Sequence, residues 1–408
     1  MQNDLRSKLE MYKKNTPQNE PSQKREKIDM PDFPGSTALS NGNGSFLLIE
    51  DRFPLSYIHG GYPLGKSLGI DMHPLLKLCG SHDCSPGIRD FLFLDTETTG
   101  LSGGAGTVAF LIGTGCFEED FFVLRQFFMR DYDEEPAVLT ALNELFDSHK
   151  GLVTFNGKAF DWNLLQTRFI SNRIRPGLKN PVHLDLLFPS RSIWKLKLES
   201  CRLSSLEENV LGEYRADDIP GAMIPSIYFK YLEDRDTSVV KKVIKHNESD
   251  ILSMVSLMLK INSLLADPLA QAEDGHELLG IGGIFEKNGE HQSVLECYNA
   301  CISSDSFTIK GTASKRLAFI HKKNGDYRKS ADLMELMLQC SKVPDMTIMI
   351  ELAKYYEHKE KNIEKALDIT ERAIETSLAT GLKNSPNHQQ LKLRMDRLKR
   401  KISRYSAF

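Results

Sequence analysis

Asp95 and Glu97 follow the apolar run FLFL at 91–94 and stand two residues apart. On a strand such residues share a face, so both carboxylates point the same way. Two like charges at the edge of a buried sheet are costly unless a cation sits between them, and a divalent metal ion is the natural partner. Asp161 comes after the segment GLVTFNG, in the first turn of a helical stretch. Taken alone, it reads equally as a carboxylate placed for the helix dipole. His246 and Asp250 lie one helical turn apart and share a helix face. Alone, that pair reads as the solvated edge of a charged helix.

These residues need a frame, and the sequence supplies one. The strand at FLFLDTETTG is followed by TVAFLIGTGCF and FFVLRQFFM, a hairpin joined by a short acidic loop. PAVLTALNELFDSHK has helical spacing, GLVTFNG is a short buried strand and FDWNLLQTRFISNRI an amphipathic helix. HLDLLFP reads as another strand, and CRLSSLEENVLG as a helix stopped by Gly212. The order β-β-β-α-β-α-β-α predicts a mixed α/β sheet flanked by helices. A long helix follows, its stripe carrying Val240, Val243, Ile244, Ile251, Met254, Val255 and Met258, and Pro268 closes it.

Beyond about Asp267 the composition shifts to helix pairs. Asn288-Gly289 and Asn324-Gly325 recur 36 residues apart, close to the 34 of a tetratricopeptide unit. The expected division is a disordered tail at 1–45, an α/β domain at 46–266 and an all-α repeat domain at 267–408, separable from it. A short helix at Leu5 to Tyr12 is expected inside the tail.

At 408 residues, two folded units and a tail are expected. The net charge of -3 excludes a chain coated in basic charge, while leaving room for a local basic groove. Seven scattered cysteines and an N-terminus without an apolar leader point to a reduced, cytoplasmic setting. No run approaches a membrane span of roughly 20 apolar residues, so no membrane partner is expected.

The three carboxylate segments resemble the motifs of the DEDD exonucleases, a ribonuclease H-like superfamily: a D-x-E strand, an N-x-x-x-x-D turn and a helix bearing a final Asp. The resemblance implies that Asp95, Glu97, Asp161 and Asp250 surround two divalent ions, Mg²⁺ or Mn²⁺, and that the chain is a 3′→5′ exonuclease acting on single-stranded DNA or RNA ends. Two ions about 3.5 to 4 Å apart serve the attacking water and the leaving oxygen of a phosphodiester, and hard oxygen ligands suit either metal. The superfamily places its water-orienting His five positions before the last Asp, or a Tyr four before. This chain has His246 in the four-ahead slot and Lys245 in the five-ahead slot. His246 is the expected general base. The wider match is to the YprB family, a ribonuclease H-like domain followed by tetratricopeptide repeats. It runs from about Phe46 to near Leu378 and is most specific in DTETTGLSGGAGTVAFLIGTG.

Thr98, Gly103, Gly104, Asn156 and Lys195 are expected to face the substrate. The glycine-rich turn after the first motif lets a phosphate backbone approach, or serves only as a flexible entry to the hairpin. Arg191, Trp194, Lys195 and Lys197 interleave cations with a ring, a pattern for single strands or a plain solvated loop. His73, Cys79, His82 and Cys84 match no common zinc spacing. The basic run from Leu391 to Arg404 suits nucleic acid, an acidic partner, or the polar cap of a repeat array. The alternative to an enzyme is a non-catalytic scaffold that binds a nucleic-acid end while its repeats recruit a protein partner.

Overall fold

The structure, a computed structural model, describes residues 33–80, 86–100, 106–340 and 345–405. It opens with strand β1 (Ser36–Asn41), which turns at Gly42-Asn43 into β2 (Gly44–Pro54). Both strands begin inside the stretch expected to be disordered to residue 45. STALSN carries no apolar alternation because β1 lies exposed at the sheet edge. Backbone pairing from Ser36↔Ile49 to Asn41↔Gly44 orders it, and pairing of that kind leaves no trace in composition. The rest of the expected tail, with the helix at Leu5 to Tyr12, lies outside the described residues. A two-rung ribbon follows, β3 (Ile58–His59) and β4 (Tyr62–Pro63), and then helix α1 (His73–Leu78).

β5 (Phe91–Thr98), β6 (Ala109–Glu118) and β7 (Phe121–Phe128) form the expected antiparallel unit. Helix α2 (Glu135–Ser148) leads to β8 (Gly151–Thr154), parallel to β5, and α3 (Asp161–Ser171) leads to β9 (Val182–Asp185), parallel to β8. The sheet order is β1-β2-β7-β6-β5-β8-β9. Side-chain alternation along β5 feeds a core on each face: Phe91 and Phe93 enter one, Leu92 and Leu94 the other. HLDLLFP stays extended only to Asp185. The carboxylate of Asp185 accepts the Leu187 N–H at 3.1 Å, and the chain turns directly into α4 (Leu187–Trp194). α5 (Leu203–Leu206) widens into a single turn that stops at Gly212, left-handed at φ 65 as expected for its stop signal. α6 (Ile224–Asp234) and the long α7 (Val240–Ala266) complete this part.

α7 crosses the sheet over β5 and β6 so closely that two glycines of β6 have no room for a side chain. A Cβ on Gly113 would lie 2.1 Å from Asn247 Oδ1, and one on Gly115 2.8 Å from Ile251 Cγ2 and 2.4 Å from Phe122 Cζ of β7. α7 is long and apolar enough to cross a bilayer, yet 72% of its most apolar window is buried inside the protein. Its apolar faces are consumed by the core.

After it come α8 (Gly275–Asn288), α9 (His291–Ile302), α10 (Phe307–Lys323), α11 (Tyr327–Cys340), α12 (Met346–Tyr355), α13 (Ile363–Ala379) and α14 (Pro386–Tyr405). The left-handed residues Gly289, Gly325 and Lys361 recur at a 36-residue spacing between successive helices. This C-terminal part is all-helical and built from recurring pairs. The composition shift near Asp267 does not, however, divide the core. Leu264 and Leu265 of α7 share one apolar cluster with Leu279, Ile284, Phe285, Cys297 and Ile309. A Cβ on Gly280 would lie 2.2 Å from the Ser192 carbonyl, so α8 packs backbone to backbone on α4. The first helices of the part expected to fold independently from Asp267 thus share a core cluster with the α/β part. A separate cluster begins at Ala318 and runs to Leu398.

Candidate active site

The carboxyl end of β5 meets α7 from one face of the sheet and α3 from the other. Asp95 and Glu97 lie on the α7 side, as the strand period requires. Asn247, fully buried on α7, donates from Nδ2 to Asp95 Oδ2 at 2.8 Å. Its Oδ1 accepts from Gln126 Nε2 at 2.9 Å, so a polar relay from β7 through α7 fixes Asp95. Thr96, between the two acids, turns to the opposite face and its hydroxyl donates to Asp161 Oδ1 at 2.5 Å. One turn of α7 brings His246 and Asp250 over the same edge. His246 Nε2 lies 3.6 Å from Asp250 Oδ2 and 3.9 Å from Glu97 Oε1. Ligand atoms of Glu97, His246 and Asp250 fall within 4.8 Å of one another. The structure thus brings Asp95, Glu97, Asp161, His246 and Asp250 to one place.

The electrostatics are those of an over-charged anionic site. Burial, then Asp250 and Asp161, push the Asp95 carboxyl well above the usual carboxylate range. Burial, then Asp95, Asp250 and Asp161, do the same to Glu97. Burial raises Asp161 to about 6, against the hydrogen bond from Thr96. Carboxyls held this way bind either protons or a cation.

The structure adds a charge that sequence reasoning missed. Arg215, in the loop after Gly212, bonds with one terminal nitrogen to both Glu207 and Asp250. Its other terminal nitrogen lies 3.3 Å from His246 Nδ1 and 3.6 Å from Asp218. Asp218 Oδ1 is nearer to the imidazole, 2.7 Å from Nδ1. A proton on Nδ1 can serve only an acceptor, so the carboxylate contact sets the tautomer and leaves the Nε2 lone pair facing Glu97 and Asp250. The loop EYRADD had no motif to mark it, being an irregular excursion whose value lies in where it returns. Asp185 was also missed. It accepts the backbone N–H of Asn156 and of Lys158, at 2.8 and 3.0 Å, and so ties the turn before Asp161 to β9.

Other expected residues separate. Thr98 is buried with its hydroxyl donated to the Gly100 carbonyl at 2.8 Å, so it shapes the turn. Gly103 and Gly104 lie outside the described residues. Asn156 and Lys195 line one cavity beyond the end of β8. Trp194 is fully buried and donates to Glu277 Oε1 at 2.9 Å, while Lys197 is tied to Glu273, Asp274 and Glu277, so neither is available to stack or pair with a strand. Lys245, in the five-ahead slot, pairs with Glu248 at 2.5 Å and is largely exposed, away from the carboxylates. Of the zinc candidates, burial raises the Cys79 thiol to about 11, which disfavours the thiolate a metal needs. His82 and Cys84 lie outside the described residues.

A family model described as RNase_H superfamily matches residues 92–262. That span runs from the second residue of β5 to Asn262 within α7 and holds every carboxylate of this site. An uncharacterized protein of Bacillus subtilis (strain 168), YprB, is 31% identical over 363 residues, which cover 88% of this chain and 86% of the relative.

Proposed function

Since the chain belongs to the YprB family and carries a ribonuclease H-superfamily domain, a nuclease-type fold, we propose that it is a metal-dependent 3′→5′ exonuclease acting on single-stranded nucleic-acid ends. The observation that carries this reading is the convergence of Asp95, Glu97, Asp161 and Asp250 on one sheet edge, where burial raises Asp95, Glu97 and Asp161 and the neighbouring carboxylates add to the rise at Asp95 and Glu97. Those oxygens fit hard divalent cations, with Mg²⁺ or Mn²⁺ in preference to zinc. When bound, such ions supply Lewis acidity at the phosphodiester and charge for the leaving oxygen.

The chain's own residues do the rest. Asp218 holds the Nδ1 proton of His246, and Nε2 accepts a proton from the water that attacks phosphorus as the bond to the 3′ oxygen breaks. Asn247 and Gln126 hold Asp95 in place, and Arg215 holds Asp250. The polarity of digestion rests on the resemblance to DEDD enzymes. The helical pairs are proposed as tetratricopeptide-like repeats that receive a protein partner, and the setting as a reducing cytoplasm.

One observation favours the alternative of an end-binding scaffold: Arg215 forms an ion pair with Asp250, one of the four carboxylates that the metal reading needs. Incubation of the purified protein with 3′- and 5′-end-labelled DNA and RNA single strands, with Mg²⁺, Mn²⁺ or chelator, separates the two. Shortening from the 3′ end that needs metal and disappears in Asp95→Ala and Glu97→Ala supports the exonuclease. Binding without cleavage under every metal condition, or activity within about tenfold of the parent in either variant, overturns it.

A further inference from the structure

β5, β8 and β9 run parallel, so their carboxyl ends share one edge of the sheet. In open α/β sheets that edge is where ligands bind. Asp95 and Glu97 occupy it on β5. Beyond β8 and β9, on the same edge, opens a cavity of about 700 Å³ with Phe155, Leu187 and Leu198 among its walls. With strands about 4.8 Å apart, the end of β9 lies roughly 10 Å from that of β5. The cavity is also within the roughly 300–1,000 Å³ that enclose small ligands.

Three cations line it: Arg191 and Lys195, one turn apart at the end of α4, and Arg202 before α5. All three are exposed, and none forms an ion pair with a carboxylate among the described residues. Their neighbour Lys197 shows the ordinary fate of a cation here, bound to three acids of the helical part. The partly buried Cys201 lines the same cavity as Arg191 and Lys195; burial raises its thiol and the two cations oppose that rise. Glu199 also lines the cavity. Asn156 contributes its amide from a left-handed backbone at φ 69 that its N–H bond to Asp185 maintains. Its side chain makes no hydrogen bond among the described residues.

We propose that this cavity is a binding site for the phosphodiester strand of single-stranded nucleic acid, one or two nucleotides from the end held at the carboxylates. Arg191, Lys195 and Arg202 contact phosphates, the apolar wall carries a base, and the Asn156 amide reads a base edge. The assignment rests on the nuclease reading for its direction, but not for its test. Backbone phosphate is the shared chemistry of DNA and RNA, so both are used as probes.

Fluorescein-labelled ten-nucleotide oligo(dT) and oligo(U) are titrated with the full chain in EDTA, by fluorescence anisotropy over a salt series. The double variant Arg191→Glu/Lys195→Glu is expected to bind at least one of the two about tenfold more weakly, with a salt slope shallower by about 0.7 for each phosphate no longer neutralised. Arg191→Lys is expected to stay within about threefold of the parent, and thermal melts check that every variant folds. The control is Lys392→Glu/Arg400→Glu, on the exposed basic face of α14. The proposal is overturned if the parent binds neither probe, if the first double variant stays within twofold of it, or if the α14 variant accounts for the loss instead. Loss of binding in the cavity variant, in a protein that cleaves nothing when metal is added, keeps this site and removes only the nuclease reading.

Discussion

His246 has two neighbours with different duties. Asp218 touches Nδ1 at 2.7 Å, whereas Nε2 opens toward Glu97 and Asp250. A general base at Nε2 makes His246→Ala lose roughly 10²- to 10⁴-fold in rate, with metal affinity nearly unchanged by calorimetry. Asp218→Asn leaves the imidazole in place but can donate to Nδ1 and so favour the wrong tautomer. Its expected loss is about 10- to 100-fold in kcat with little change in KM, the usual scale for a residue that orients another. Full activity in Asp218→Asn alongside a dead His246→Ala would remove the tautomer argument and leave the imidazole without an orienting partner. His246 and Asp250 were legible in the sequence as an i, i+4 pair, with Lys245 in the five-ahead slot. The Lys245 ammonium is tied to Glu248. Asp218 and Arg215 were not legible, because a loop residue contributes through where the chain returns, and no periodicity encodes that.

The pair Gly113 and Gly115 is where the most specific sequence motif meets an element-scale requirement. Asn247 of α7 lies over Gly113, and Phe122 of β7 together with Ile251 of α7 closes on Gly115, so neither position has room for a side chain. Gly113→Ala is expected to cost roughly 1 to 3 kcal/mol by overpacking and to push Asn247 off Asp95, lowering activity more than a comparable substitution on β1. Urea melts and rates measured together check it, and a variant with parental stability and rate would contradict the packing account. At the other end of the chain, Glu357 has a fully buried side chain between Arg394, Arg397 and Lys401 of α14. Burial pushes its carboxyl up, but these cations outweigh it and hold it at about 2. A folded value below the unfolded 4.5 means stabilisation present above about pH 4.5 and lost as pH falls toward 2. Acid titration of the C-terminal helices should show that loss, and Glu357→Gln should flatten it. Central strands and long helices were legible from their apolar periods. β1, α1, α4 and α6 were not, since an exposed edge strand and short helices held by tertiary contacts carry weak local signals.

Across the whole molecule, the composition boundary and the physical boundary fall at different places. Composition changes at Asp267, but Phe93, Trp194, Met258, Leu279, Phe285 and Cys297 belong to one core. A chain ending at Leu265 would uncover that core and strip Trp194 and Lys197 of Glu277, their partner on α8. Each large apolar side chain left exposed forfeits about 1.5 to 3 kcal/mol, against a typical total stability of roughly 5 to 15 kcal/mol. That truncation is expected to be insoluble or molten, binding a hydrophobic dye and melting without a cooperative transition. A chain ending at Lys323 keeps α8, α9 and α10, and so keeps Ile309, Ala313 and Leu317 of the same core. It removes chiefly the second cluster, from Ala331 to Leu398. This longer truncation is expected to melt cooperatively and to retain whatever cleavage of short single strands the full chain shows. The two truncations measured side by side decide between the boundaries. A folded, active chain ending at Leu265 would restore the division at Asp267, and an unfolded chain ending at Lys323 would mean that α10 needs α11 to hold the first core together.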